Sequence, residues 1–175
     1  MKVNLKLALW VMILMVLLAG CGGPKADVTI FMMGPQGIPS DGAQKLQSSL
    51  AAKVGAVPTI VLNASPMFSV EKMIVEIAAG ENGILIIPED QFRNLGKQGG
   101  YVPLDDIIKP EDYPTGIMEI TDQGKTEKHL YGIPLEDTKW MKEQNMNGKG
   151  LFAFIPQNAK KQAEAKQVLK IIAEK

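Results

Sequence analysis

The chain has 175 residues, with 19 Lys+Arg balanced by 19 Asp+Glu, one His, one Cys and 46% hydrophobic residues. That length holds one domain or a lean pair. The even charge balance and the lack of a basic tract argue against nucleic acid as a partner, and one Cys with one His excludes an internal disulfide and a Cys/His zinc site.

Lys2 and Lys6 precede an unbroken apolar run of 13 residues, Leu7 to Ala19. A bilayer core takes about 20 helical residues, so the run suits a signal-peptide h-region rather than a span. It ends in Leu18-Ala19-Gly20-Cys21, which resembles a bacterial lipoprotein lipobox. The resemblance implies lipid on the Cys21 thiol, acylation such as palmitate, and cleavage that leaves Cys21 first. Residues 1–20 are then a signal peptide, 21–26 a lipidated Cys with a flexible tether, and 27–175 one domain. The expected location is the extracytoplasmic face of the cell membrane, lipid-anchored. The alternative is a secretory signal with an incidental Cys, or an uncleaved anchor. Losing Lys2 and Lys6 leaves 17 basic and 19 acidic groups, a formal charge of −2.

Val28 to Met33 (VTIFMM) reads as a strand ended by Gly34-Pro35. Helical spacing of Ala43, Leu46, Leu50, Ala51 and Val54 follows, behind a cap at Ser40 or Asp41. Thr59 to Leu62 (TIVL) is the next strand. Ser69 is placed to cap a second helix with Val70, Met73, Ile74, Ile77 and Ala78 on its buried face and Gly80 at its end. Ile84 to Ile87 (ILII) is a third strand, and Asp90 to Lys97 a short third helix. Continuous apolar runs belong to strands buried on both faces. The βαβαβα order therefore predicts an α/β fold: an open, mostly parallel sheet flanked by helices.

Tyr101 to Asp112 reads as loop and a helical turn, interrupted by prolines. Met118 to Thr121 and Thr126 to Tyr131 flank Asp122-Gln123-Gly124-Lys125, a hairpin turn. Leu151 to Ile155 (LFAFI) is a further strand. Asn158 is a cap candidate for a last helix burying Ala165, Val168, Leu169 and Ile172.

Ile77-Ala78-Ala79-Gly80-Glu81-Asn82-Gly83 with Ile84 to Ile87, Phe92 to Gly99 (FRNLGKQG), Val102-Pro103-Leu104-Asp105-Asp106 and His129-Leu130-Tyr131-Gly132-Ile133-Pro134-Leu135 occur in that order. This succession resembles extracellular solute-binding proteins, the lipid-anchored receptors of ABC importers. It covers most of residues 27–135, and Lys160 to Ala173 is similar to the helix that returns to the first lobe. The resemblance implies a periplasmic-binding-protein-like lobe, a small solute or peptide as ligand, and an ABC transporter permease as partner. Such receptors close two lobes over their ligand, yet only 15 residues, Glu136 to Gly150, separate Leu135 from the LFAFI strand. The chain thus resembles a receptor reduced to about one lobe.

Ligands of open α/β sheets sit beyond the C-terminal strand ends. Those ends carry Gln36, Asn63, Ser65, Glu89 and Asp90 as candidate ligand-binding groups. Asn, Ser and Asp also cap helices and form turns at any loop, which is the alternative. Trp140, the one tryptophan left after cleavage, either lines a shallow groove or partner contact, or closes the bottom of the core.

The chain is expected to be no enzyme and to carry no cofactor or metal. The adjacent pairs Glu89-Asp90, Asp105-Asp106, Glu111-Asp112 and Glu136-Asp137 point apart rather than at a common proton. His129 has neither a Cys partner nor a G-x-S-x-G serine, and belongs on a hairpin strand near solvent. Met32, Met33, Met67, Met73, Met118, Met141 and Met146 raise soft-metal binding, against the commoner use of Met as core filler. Two function classes remain: a reduced solute-binding lipoprotein serving a transporter, and an accessory interaction lipoprotein in a membrane complex.

Overall fold

The computed structural model describes residues 25–122 and 124–175, so the signal run, Cys21 and Gln123 lie outside the described residues. Strand β1 (Val28–Met32) is followed by α1 (Ser40–Val54), β2 (Ile60–Ala64), α2 (Val70–Ala79), β3 (Ile84–Pro88) and α3 (Glu89–Gly96). Two short 3-10 turns, Pro110–Asp112 and Pro114–Gly116, lead to the hairpin of β4 (Ile117–Asp122) and β5 (Lys125–Leu130). Then come β6 (Ile133–Pro134), α4 (Lys139–Glu143), β7 (Leu151–Phe154) and α5 (Gln162–Ile172).

Five strands form one sheet in the order β2-β1-β3-β7-β6. β1 pairs in parallel with both β2 and β3, whereas β7 runs antiparallel to β3 and to β6. The fold is therefore α/β with a mixed sheet flanked by helices, which corrects the mostly parallel sheet expected above. An apolar strand reads the same in either direction. Here the segment 136–150 returns the chain to the C-terminal end of β3, and Leu151 pairs with Pro88, so β7 can only descend.

β3 is buried at every position and β1 nearly so. β2 departs from the expected two-sided burial because it is the sheet edge: Leu62 is buried, while Val61 and Asn63 are exposed. Its outward amide at Leu62 is taken by the Gln47 side chain, whose Oε1 accepts at 2.9 Å, which blunts an edge otherwise open to strand addition.

One sheet face carries Ile30, Met32, Ile84, Ile86 and Ala153 against Leu46 and Leu50 of α1 and Val168, Leu169 and Ile172 of α5. The other carries Phe31, Met33, Leu85, Ile87, Phe152 and Phe154 against Met73, Phe92, Tyr101, Ile120 and Tyr131. Phe92 stacks on Tyr101 and on Phe152, with ring centroids 5.2 and 4.9 Å apart. A Cβ on Gly132 would meet the Phe92 ring at 2.5 Å, so glycine is what lets the Tyr131–Pro134 segment lie across that ring.

Ser69 caps α2 as expected, its Oγ accepting from the Lys72 amide at 3.1 Å. Neither Ser40 nor Asp41 caps α1, whose cap position is Pro39. The cap position of α5 is Lys161 rather than Asn158, and the Asn158 amide instead donates to the Ile77 carbonyl at the end of α2. The expected buried stripe of α2 is also cut short: Met73 is its only buried residue, and Ile74 and Val75 stay 52% and 65% exposed.

Candidate functional site

β1 lies between β2 and β3: the first crossover runs from β1 to β2 on one side and the next returns past β1 to β3 on the other, so the strand order reverses there. Such a reversal opens a crevice beyond the C-terminal ends of the strands. Here the rim of that crevice is stitched shut on the β2 side. The Ser65 amide donates to the Met32 carbonyl, and the Ile38 amide donates to the Ser65 carbonyl, both at 2.8 Å. Gly37 (φ +78°) lies so close to Pro66 that a Cβ would stand 2.0 Å from its carbonyl oxygen.

The six candidate residues do not converge. Ser65 is buried and its hydroxyl donates to the Met67 carbonyl at 2.8 Å, as a turn-former does. Gln36 and Asn63 are exposed, Asn63 on the edge strand. Trp140 is fully buried on the α1 face of the sheet, where its Nε1–H donates to the Leu46 carbonyl at 3.0 Å. It closes the core and lines no groove.

Glu89 and Asp90 do share a cleft of about 480 Å³, shallow and open to solvent, together with Pro35, Pro88, Arg93, Lys149 and Gly150. Arg93 donates to Glu89 Oε1 from Nε at 2.8 Å, lies 2.7 Å from it at Nη2, and donates to the Thr115 carbonyl. Its guanidinium also lies 5.6 Å from the Phe152 ring centroid. Asp90 accepts from the Gln91 amide. Of the cleft's four charged groups, Glu89 and Arg93 are thus paired with each other, while Asp90 and Lys149 leave one carboxylate and one ammonium to meet a ligand. Arg93 and Lys149 were missed in the sequence. The i,i+4 spacing of Glu89 and Arg93 was the available signal for the first; Lys149 had none.

His129 lies on β5, half-exposed, with Nδ1 3.3 Å from Asp105 and Nε2 3.6 Å from Glu127, edge-on to Tyr131. The Asp105 contact ties the hairpin to the 101–109 segment. Among the described residues no group of three or more His, Cys, Asp or Glu could hold a metal, and no helix is long and apolar enough to cross a membrane.

The larger exposed feature is apolar. Val61, Met67, Phe68, Val70, Ile74 and Val75 are all at least 37% exposed. They fall within fifteen residues that form the edge strand β2, its outgoing loop and the outer side of α2. Six large exposed apolar side chains within one short stretch of chain are a different matter from scattered surface leucines.

No family model matches the chain, and no solved structure matches it. It is 26% identical over 181 residues to a protein of Bacillus subtilis (strain 168) named "Putative lipoprotein YteS", with 99% of each chain covered. The chain is therefore similar, from end to end, to a protein of the same compact length.

Proposed function

We propose that the protein is a lipid-anchored component of the extracytoplasmic membrane face that works by docking its α/β lobe onto a protein of a membrane complex. The observation that carries this reading is the exposed apolar surface from Val61 to Val75. Its side chains are large, exposed and close together in the chain, on a sheet edge and the loop and helix that follow it, which favours a contact with another protein. The anchor rests on Leu18-Ala19-Gly20-Cys21 and on the likeness to a relative named as a lipoprotein. Cys21→Ala should shift the protein to the soluble fraction or leave its precursor uncleaved. No catalytic step is assigned.

A second reading is favoured by the Glu89–Lys149 cleft: presentation of a small solute or peptide to an ABC transporter permease. A photo-crosslinking residue in place of Ile74, in intact source cells, separates the two. The docking reading predicts one discrete adduct from position 74, absent from Gln44 on α1 and lost on adding Val70→Glu. No adduct, or equal adducts from both positions, contradicts it.

A further inference from the structure

The parallel register that pairs Val28 with Ile60 and Ile30 with Ile84 brings the starts of β1, β2 and β3 to one end of the lobe. Residues 25–27 and the loop 55–59 meet there. The Asp27 amide donates to the Thr59 hydroxyl, and the Thr59 amide donates to the Asp27 carboxylate, each at 2.9 Å. α5 begins at the same end. Lys161 reaches Asp27 at 2.6 Å, and Lys25 and Lys160 hold Glu81 from two sides at 3.0 and 2.7 Å. The Glu164 carboxylate lies beside Lys161 as well, so three ammonium groups stand among three carboxylates at this end. Beside them the loop presents Gly55-Ala56-Val57 to solvent, and Val57, 74% exposed, is the most exposed large apolar side chain among the described residues.

The covalent chain sets where this end can go. Four Cα–Cα steps separate Lys25 from Cys21, a reach of at most about 14 Å. Building on the anchor reading above, we infer that the end carrying Lys25, Ala56, Val57, Lys160 and Lys161 is seated on the membrane. Ala56 and Val57 enter the headgroup region, and the three ammonium groups face the phosphates of anionic lipids. An apolar tip beside surface lysines that can exchange carboxylate for phosphate partners is a combination that interfacial binding uses. Seated so, the lobe has a fixed orientation. The Glu89–Lys149 cleft, at the opposite strand ends, points away from the bilayer. The Val61–Val75 surface stands along the side, within reach of a neighbour in the same membrane.

The test uses the full-length lipoprotein in vesicles of phosphatidylcholine with phosphatidylglycerol, some of the lipid carrying a quencher high on the acyl chain. Cys21 is the only Cys in the sequence and its thiol carries the diacylglycerol as a thioether under this reading, so an introduced Cys takes a single fluorophore. Val57→Cys, with Ala56→Cys as a second position, should lose most of its emission, whereas Gln36→Cys at the far end should keep it. Quenching at 57 should weaken when phosphatidylglycerol is replaced by phosphatidylcholine; quenching indifferent to lipid charge overturns the role of the lysines. Vesicle flotation separates the two levels of failure. Protein that floats but shows equal emission at 57 and 36 overturns the seated orientation and leaves the anchor standing. Protein that does not float overturns both.

Discussion

The indole of Trp140 donates to the backbone carbonyl of Leu46, joining residues 94 apart in sequence over 3.0 Å. The bond ties the 136–150 segment onto the middle of α1. Thr138 adds a local tie through the Leu135 carbonyl, and the Lys139 amide donates to Glu174. The 136–150 segment is therefore part of the core. Trp140→Ala should cost about 3–5 kcal/mol through the cavity it leaves. Trp140→Phe should lose the hydrogen bond and less of the packing, costing roughly 1–2 kcal/mol. Urea midpoints of the two variants against wild type test the order.

Adjacent positions on α2 should behave oppositely. Met73 is 1% exposed against the Phe31 face, and Ile74 is 52% exposed. Met73→Ala should destabilise by about 2–5 kcal/mol, while Ile74→Lys should stay within about 0.5 kcal/mol of wild type. A large stability loss from Ile74→Lys would mean that this side chain serves the fold and not a partner.

Gly116 is where the hairpin meets the core. Its carbonyl accepts from the Tyr131 amide at 3.0 Å, and a Cβ there would stand 1.8 Å from the Gly132 carbonyl oxygen. Both sides of that contact are backbone, so nothing can rotate away. Gly116→Ala should cost about 3 kcal/mol, the upper end for overpacking. It should also raise amide exchange selectively in residues 117–130, as local detachment of the hairpin requires.

The end of the domain that carries Asp27 and Glu81 predicts a loss of stability in acid. Hydrogen bonding from Lys161 first, then from the Thr59 amide and hydroxyl, holds the Asp27 carboxyl well below the usual aspartate range. Lys160 and Lys25 lower Glu81 from 4.5 to about 2. Both folded values lie below the unfolded ones, so the folded state gains from these carboxylates above about pH 4.5. The gain should disappear as the pH falls from there through 2. Asp27→Asn should flatten the stability-versus-pH curve over that range, and an unchanged slope would show that Asp27 does not contribute to it.

Much of the architecture is legible in the residues, because it follows from local patterns. The strand at Val28, the Ser69 cap with its Gly80 stop, and the hairpin around Gly124 each have a periodicity or a turn residue behind them. What is not legible depends on distant partners. LFAFI carries no sign of strand direction, Asn158 serves a neighbouring helix instead of its own, and the exposure of Val61 and Asn63 follows from β2 having nothing beyond it. The site was read less well for the same reason. Gln36, Asn63 and Ser65 qualified by chemistry and position in the chain, but Ser65 is spent in a turn and Asn63 sits on an edge. Arg93 and Lys149, which share the cleft with Glu89, come from a helix interior and from the loop before β7. Trp140 left two readings open, and its bond to Leu46 decides between them.

Docking through the Val61–Val75 surface is tested most directly by native mass spectrometry of the full-length protein, extracted from source membranes in mild detergent without refolding. The expected result is a complex with one protein partner that reverts to free lipoprotein in Ile74→Lys. A lipoprotein carrying a small-molecule mass and no protein, unchanged by Ile74→Lys, would contradict it and make the Glu89–Lys149 cleft the working site.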